Sequence, residues 1–138
     1  MYLLDTNVVS ELRRPRPHGA VLAWLRPVDD ADLHISAVTL GEIQSGIERT
    51  RDTDPDKAAE IEDWLDQVAG TFNVLDMDGR TFRRWARLMY RQPDRLSEDA
   101  MIAATASVHG LTVVTRNERD FVPFSVPTLN PFVFATNA

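Results

Sequence analysis

Asp5 stands directly after the apolar run Leu3-Leu4, and polar clusters recur in comparable settings downstream. Glu42 lies in TLGEIQSGI, Asp99 in LSEDAMIAATA, and Thr115-Arg116-Asn117-Glu118-Arg119-Asp120 follows the apolar run LTVV. A fold that gathers Asp5, Glu42, Asp99 and either Asn117 or Asp120 offers only oxygen ligands, because the chain has no cysteine. Such a set suits a hard divalent cation, Mg²⁺ or Mn²⁺, and with it metal-dependent attack on a phosphodiester. Each group alone has a blander explanation. Asp5 and Asn117 are good helix caps, Glu42 is an ordinary exposed helix carboxylate, and Asp99 is a first-turn acid favoured by the helix dipole. Position is what raises the set above its members.

The elements that must position these groups are legible from periodicity. Residues 2–4 read as a buried strand and 5–14 as a helix stopped by Pro15 and Pro17. A short helix over 19–26, a strand over 32–35 and a helix from Val38 to about Thr50 capped by Ser36 follow. Residues 56–68 carry apolar Ala58, Ile61, Leu65 and Val68 at helical spacing, and 72–75 form a third strand. Asp78 caps a helix reaching about Arg91. Ser97 is expected to cap an alanine-rich helix over 98–109 that Gly110 ends. A fourth strand covers 111–114, and 127–129 fits an edge strand because proline cannot donate to a ladder. Alternating strands and helices predict an α/β fold, a mainly parallel sheet flanked by helices in one domain over 1–138. In such sheets the ligand crevice lies outside the carboxyl ends of the strands. Asp5, the 36–42 segment and Thr115 to Asp120 all follow strands and so share that edge.

Composition narrows the classes. With 138 residues and 43% hydrophobic content, the chain supports a single core. Asp5 interrupts the apolar start, so no signal-peptide pattern is visible, and no apolar run approaches a membrane span. The expected location is cytoplasmic. A net charge of −6 argues against a protein that coats nucleic acid through bulk attraction, but not against a nuclease whose acids are neutralised by bound cations. A phospho-accepting receiver domain needs a lysine after a late strand. The one lysine, Lys57, lies mid-chain in a helix. His18, His34 and His109 lack ligand spacing, and His34 is expected to be structural.

Arg80, Arg83, Arg84, Arg87 and Arg91 fall within an arc of about 100° on one helix face, with Phe82, Trp85, Ala86 and Met89 expected opposite, toward the core. That stripe is either a solvated face or a surface that steers phosphate or docks a partner's acids. Arg13, Arg14 and Arg16 form a smaller patch.

Taken in order, LLDTNVVSEL, TLGEIQSGI, SEDAMIAATA, VVTRNERDF and the closing VPTLNPF resemble the PIN-domain ribonucleases, most nearly the VapC-type toxins of bacterial toxin–antitoxin pairs. The resemblance spans nearly the whole chain. It implies a Mg²⁺-dependent endoribonuclease toxin with Asp5, Glu42 and Asp99 as metal-site acids. The fourth place is left to Asn117 or Asp120, and Thr115 matches the hydroxyl of the TRN turn. It further implies an RNA substrate, an adjacently encoded antitoxin and a homodimer, for which Trp64 and Leu65 are candidate apolar surface. A DNA nuclease with the same site, or a module that binds RNA or protein without cleavage, are the alternatives.

Overall fold

The computed structural model describes residues 1–135, so 136–138 of the expected single domain lie outside it. Five strands form one sheet: β1 (Tyr2–Leu4), β2 (Leu33–Ser36), β3 (Asn73–Leu75), β4 (Thr112–Val114) and β5 (Thr128–Leu129). Their order is β3-β2-β1-β4-β5, and every pairing is parallel. The chain therefore starts at the centre, builds outward through β2 and β3, then returns to the other side of β1. This reversal between β1 and β4 opens a crevice at their carboxyl ends. β5 lies at the edge, where Pro127 accepts from Val113 N–H through its carbonyl and has no N–H to lose.

Among the described residues six α-helices cover the two faces: α1 (Thr6–Glu11), α2 (Gly19–Leu25), α3 (Ala37–Arg51), α4 (Pro55–Thr71), α5 (Gly79–Met89) and α6 (Ser97–His109). Alternation along the central strands divides the core. Leu3 and Val113 pack with Ala100, Ala103, Phe121 and Phe124 on one face, while Leu4, Val114 and Ile35 pack with Val8, Val21 and Trp24 on the other. The alanines of α6 are fully buried, so this helix lies close against the sheet and brings its first turn to the crevice. Gly110 ends α6 at φ 67°, a conformation that glycine adopts without a Cβ penalty.

Four expectations are corrected. The first helix ends at Glu11, because Leu12, Arg13 and Arg14 N–H groups bond only three residues back as the chain approaches Pro15. Ser97 is not the cap of α6. A 3₁₀ turn (Asp94–Leu96) runs straight into the helix, leaving Leu96 at the cap position without a side-chain bond. On α5 the buried side is Thr81, with Trp85, Leu88 and Met89 packed on the core, while Phe82 and Ala86 are exposed. Leu65 is buried with Ile47 and Ala58 between α3 and α4, so it offers no dimer surface; the exposed large apolar side chains include Phe82, Tyr90 and Val122.

Candidate functional site

Asp5 is built into the end of β1. Its N–H continues the sheet by donating to Val114 O at 2.9 Å, and its carboxylate caps α1 by accepting from Thr6 N–H at 2.8 Å. The other carboxylate oxygen accepts from Thr115 Oγ1 at 2.8 Å and Asn7 Nδ2 at 3.2 Å. Capping and site placement are thus one arrangement. Asp5 is only 5% exposed, and burial pushes its carboxyl up despite the three donors, with Asp120 adding repulsion.

Thr115, at the end of β4, is fully buried and uses its hydroxyl completely. It donates to Asp5 and accepts from Asn117 N–H at 3.0 Å and Asn7 Nδ2 at 3.3 Å. A second hydroxyl relay serves Glu42. Thr6 Oγ1 donates to Glu42 Oε1 at 3.0 Å and lies 3.0 Å from Thr39 Oγ1. One hydroxyl has one proton, so Thr39 is the donor to Thr6 while Glu42 is ionised. Burial also raises Glu42, as do Asp5 and Glu98.

Asp99 sits in the first turn of α6, half-buried, and among the described residues no donor reaches its carboxylate. Its carboxyl is pushed up to about 7, first by burial and then by Asp5, Asp120, Glu42 and Glu98 together. Those five acids share one field. Exposed Arg95 lies 4.0 Å from Asp120, and among the described residues none of the other four acids is in an ion pair. A first-turn acid stabilised by the helix dipole would be lowered; here burial, reinforced by crowding, wins. Asp120 thus joins the cluster, whereas Asn117 is exposed and engages through its backbone, with no side-chain capping bond to the 3₁₀ turn that follows.

Glu98 is a member that the sequence does not announce: it is adjacent to Asp99, and neighbours on a helix point about 100° apart, so periodicity assigns only one of the two to the crevice. Exposed Glu98 lines a neighbouring cleft of about 460 Å³ with Glu42, Ser45 and Arg49 between α3 and α6, close enough for its charge to raise both Glu42 and Asp99. The Arg80–Arg91 stripe does not converge here. Arg80 donates to Val108 O at the far end of α6, Arg84 Nε is buried without a partner among the described residues, and Arg91 lies past the helix end against Tyr90. His34 stays in β2, its ring beside Tyr2 O, as a structural residue.

A model of the PIN domain matches residues 2–124, nine-tenths of the chain and every element from β1 through the acid-bearing turn after β4. The chain belongs to the PIN-domain family. Toxin FitB of Neisseria gonorrhoeae is 33% identical over 141 residues, covering 96% of this chain and 99% of that protein. VapC ribonuclease Y4jK of Sinorhizobium fredii is 34% identical over 140 residues, covering 96% and 98%. Among solved structures, FitAcB from Neisseria gonorrhoeae superposes with a TM-score of 0.83 at 32% identity, covering 97% of this chain and 100% of that one. A toxin–antitoxin complex from Klebsiella pneumoniae gives 0.71 at 26%, covering 95% and 98%. In this PIN fold Asp5 and Asp120 follow the two strands at the reversal, β1 and β4, and Asp99 shares their field together with Glu42 and Glu98. Among the described residues, no three acids or histidines are drawn together closely enough to clasp an ion by themselves, and no helix is long and apolar enough to cross a membrane.

Proposed function

We propose that this chain is a Mg²⁺-dependent endoribonuclease acting as the toxin of a toxin–antitoxin pair, working in the cytoplasm as a single domain and as a homodimer. One observation carries the nuclease reading: half-buried Asp99 is pushed up to about 7 by burial and by the field of four other carboxylates, with no buried cation among the described residues to balance them. The family supports it, and relatives are named a VapC ribonuclease and a toxin.

The donor set fits a small hard cation. Every group is an oxygen, the local charge is strongly negative, and Mg²⁺ needs only one or two direct carboxylates with water completing its shell. Asp5 and Asp99 suit the direct places, and Glu42 and Asp120 suit contacts through water. When bound, a divalent ion there activates water for attack and stabilises charge on the phosphate oxygens. The protein's part is orientation. Thr115, Asn7 and Thr6 N–H fix the Asp5 carboxylate and leave one lone pair, on Oδ1, for an ion. Thr6, backed by Thr39, holds Glu42 in the same way. Water then adds to phosphorus as one P–O ester bond breaks, and the departing oxygen takes a proton. A toxin needs restraint, and the solved toxin–antitoxin complex on this fold supports a cognate antitoxin.

The deciding experiment incubates the purified chain with cellular RNA in EDTA, in Mg²⁺ and in Mn²⁺. Cleavage should require the ion and vanish in Asp99→Asn. Equal cleavage in EDTA, or full activity in the variant, rejects the assignment.

A further inference from the structure

Beside the acids lies a polar pocket of about 320 Å³ lined by Asn7, Ser10, Arg13, Arg14, Arg116 and Phe132, with Glu11 in its wall. Three arginines against one glutamate leave it positive, the reverse of the chain's net charge of −6. Arg14 is partly committed, its Nε 3.2 Å from the buried Glu11 carboxylate, although the two are not aligned for a hydrogen bond. Among the described residues Arg13 and Arg116 have no acidic partner. The Arg116 guanidinium lies over the Phe132 ring, 4.5 Å from its centre, and His18 braces that ring edge-on at 5.4 Å. Phe132 is buried beneath, so the surface open to a ligand is the guanidinium itself.

This pocket is wired to the acids. Arg116 N–H donates to Asn7 Oδ1 at 3.1 Å, and Asn7 Nδ2 donates to Asp5. One side chain therefore separates the cationic wall from the first acid of the crevice.

We propose that this pocket is a nucleotide subsite for single-stranded RNA, resting on the nuclease reading above. Arg13 and Arg116 pair with the phosphate neighbouring the scissile one, and the Arg116 guanidinium stacks on that nucleotide's base. The physical need is plain: five crowded acids and a negative chain repel a polyanion, so a strand must find local cations next to the crevice. Planar guanidinium both pairs with phosphate and stacks on bases, which an ammonium does not.

The test measures binding of a short, labelled, mixed-sequence single-stranded RNA to the full chain carrying Asp99→Asn, across a salt series. Arg13→Gln and Arg116→Gln should each weaken affinity about tenfold and reduce the slope of log Kd against log salt by about 0.7 per lost phosphate contact. Arg116→Lys should keep the slope yet lose affinity, because the charge remains and the stack does not. Arg13 is exposed, so its variant keeps the fold, and thermal midpoints check both. Unchanged affinity and slope in both glutamine variants overturn the subsite. So does failure of the Asp99→Asn chain to bind the RNA at low salt, or loss of antitoxin binding alone with RNA binding intact. Should the unmodified chain cleave no RNA in Mg²⁺ while the arginine-dependent binding persists, the subsite stands and the nuclease assignment falls.

Discussion

Glu42 and Glu48 lie on the same helix, α3, and the fold treats them in opposite ways. Glu48 is exposed, accepts from Arg51 and Gln44, and its carboxyl is held below the usual range chiefly by the Arg51 hydrogen bonds. Glu42 is half-buried, has one hydroxyl donor and two acidic neighbours, and is raised chiefly by burial. Arg51 reaches Glu62 as well, so one guanidinium serves two acids and knits α3 to α4. Among the described residues Glu42 and Asp99 have no such ion pair. One acid is a stabilised surface group, and the other belongs to a site whose charge is left for something else to neutralise.

The largest test of that contrast is removal of the most crowded acid. Asp99→Asn should reduce RNA cleavage on the order of 10²-fold or more, while the metal-free thermal midpoint holds or rises because a repelled charge is gone. Asp5→Asn should lose activity similarly but also cost about 1–3 kcal/mol of stability. Its amide must turn an N–H toward Thr6, Asn7 or Thr115, all of which are donors. If Asp99→Asn destabilised the metal-free chain as Asp5→Asn does, the picture of repulsion at Asp99 would be wrong.

The fourth place comes next. Asp120→Asn should cost about tenfold in activity and Asn117→Ala little, since Asp120 acts on both Asp5 and Asp99 whereas Asn117 is exposed. The reverse ranking would put the amide at the ion.

A smaller effect is the pH dependence of stability. Asp99 is raised in the fold from 3.8 to about 7, so between those values the native chain holds a proton that the unfolded chain has released. Stability therefore falls as pH rises through that window, and the full penalty is present above it. Thermal midpoints of the metal-free chain should drop as pH rises from 3.8 to about 7 and level off above, with the slope flattened in Asp99→Asn and by added Mg²⁺. A flat profile in the unmodified chain would remove the crowding. Smallest of all, Glu48→Gln should leave cleavage unchanged and lower the midpoint slightly, an effect that salt erases.

Much of this was legible beforehand, and the misses share a cause. Strand ends, the caps at Ser36 and Asp78, and the stop at Gly110 depend on bonds within a few residues, so local residue type announces them. Helix rotation does not. Phe82 and Ala86 look like core residues on an isolated helix, but α5 meets α6 through Thr81, Trp85 and Leu88, and only the partner's shape decides that. The arginine stripe shows the same limit: a shared helix face says nothing about which end of the sheet it approaches.

What the residues determined alone is the order of the elements, the parallel class of sheet and the set of acids on one edge, because periodicity and strand ends are short-range properties. Only the tertiary structure decided that Thr115 and Asp5 touch across adjacent strands, that Glu98 joins the cluster, and that Asp120 enters it while Asn117 stays exposed. Hydrogen bonds between groups more than a hundred residues apart, and the burial that raises a carboxyl, exist only once the chain has closed on itself.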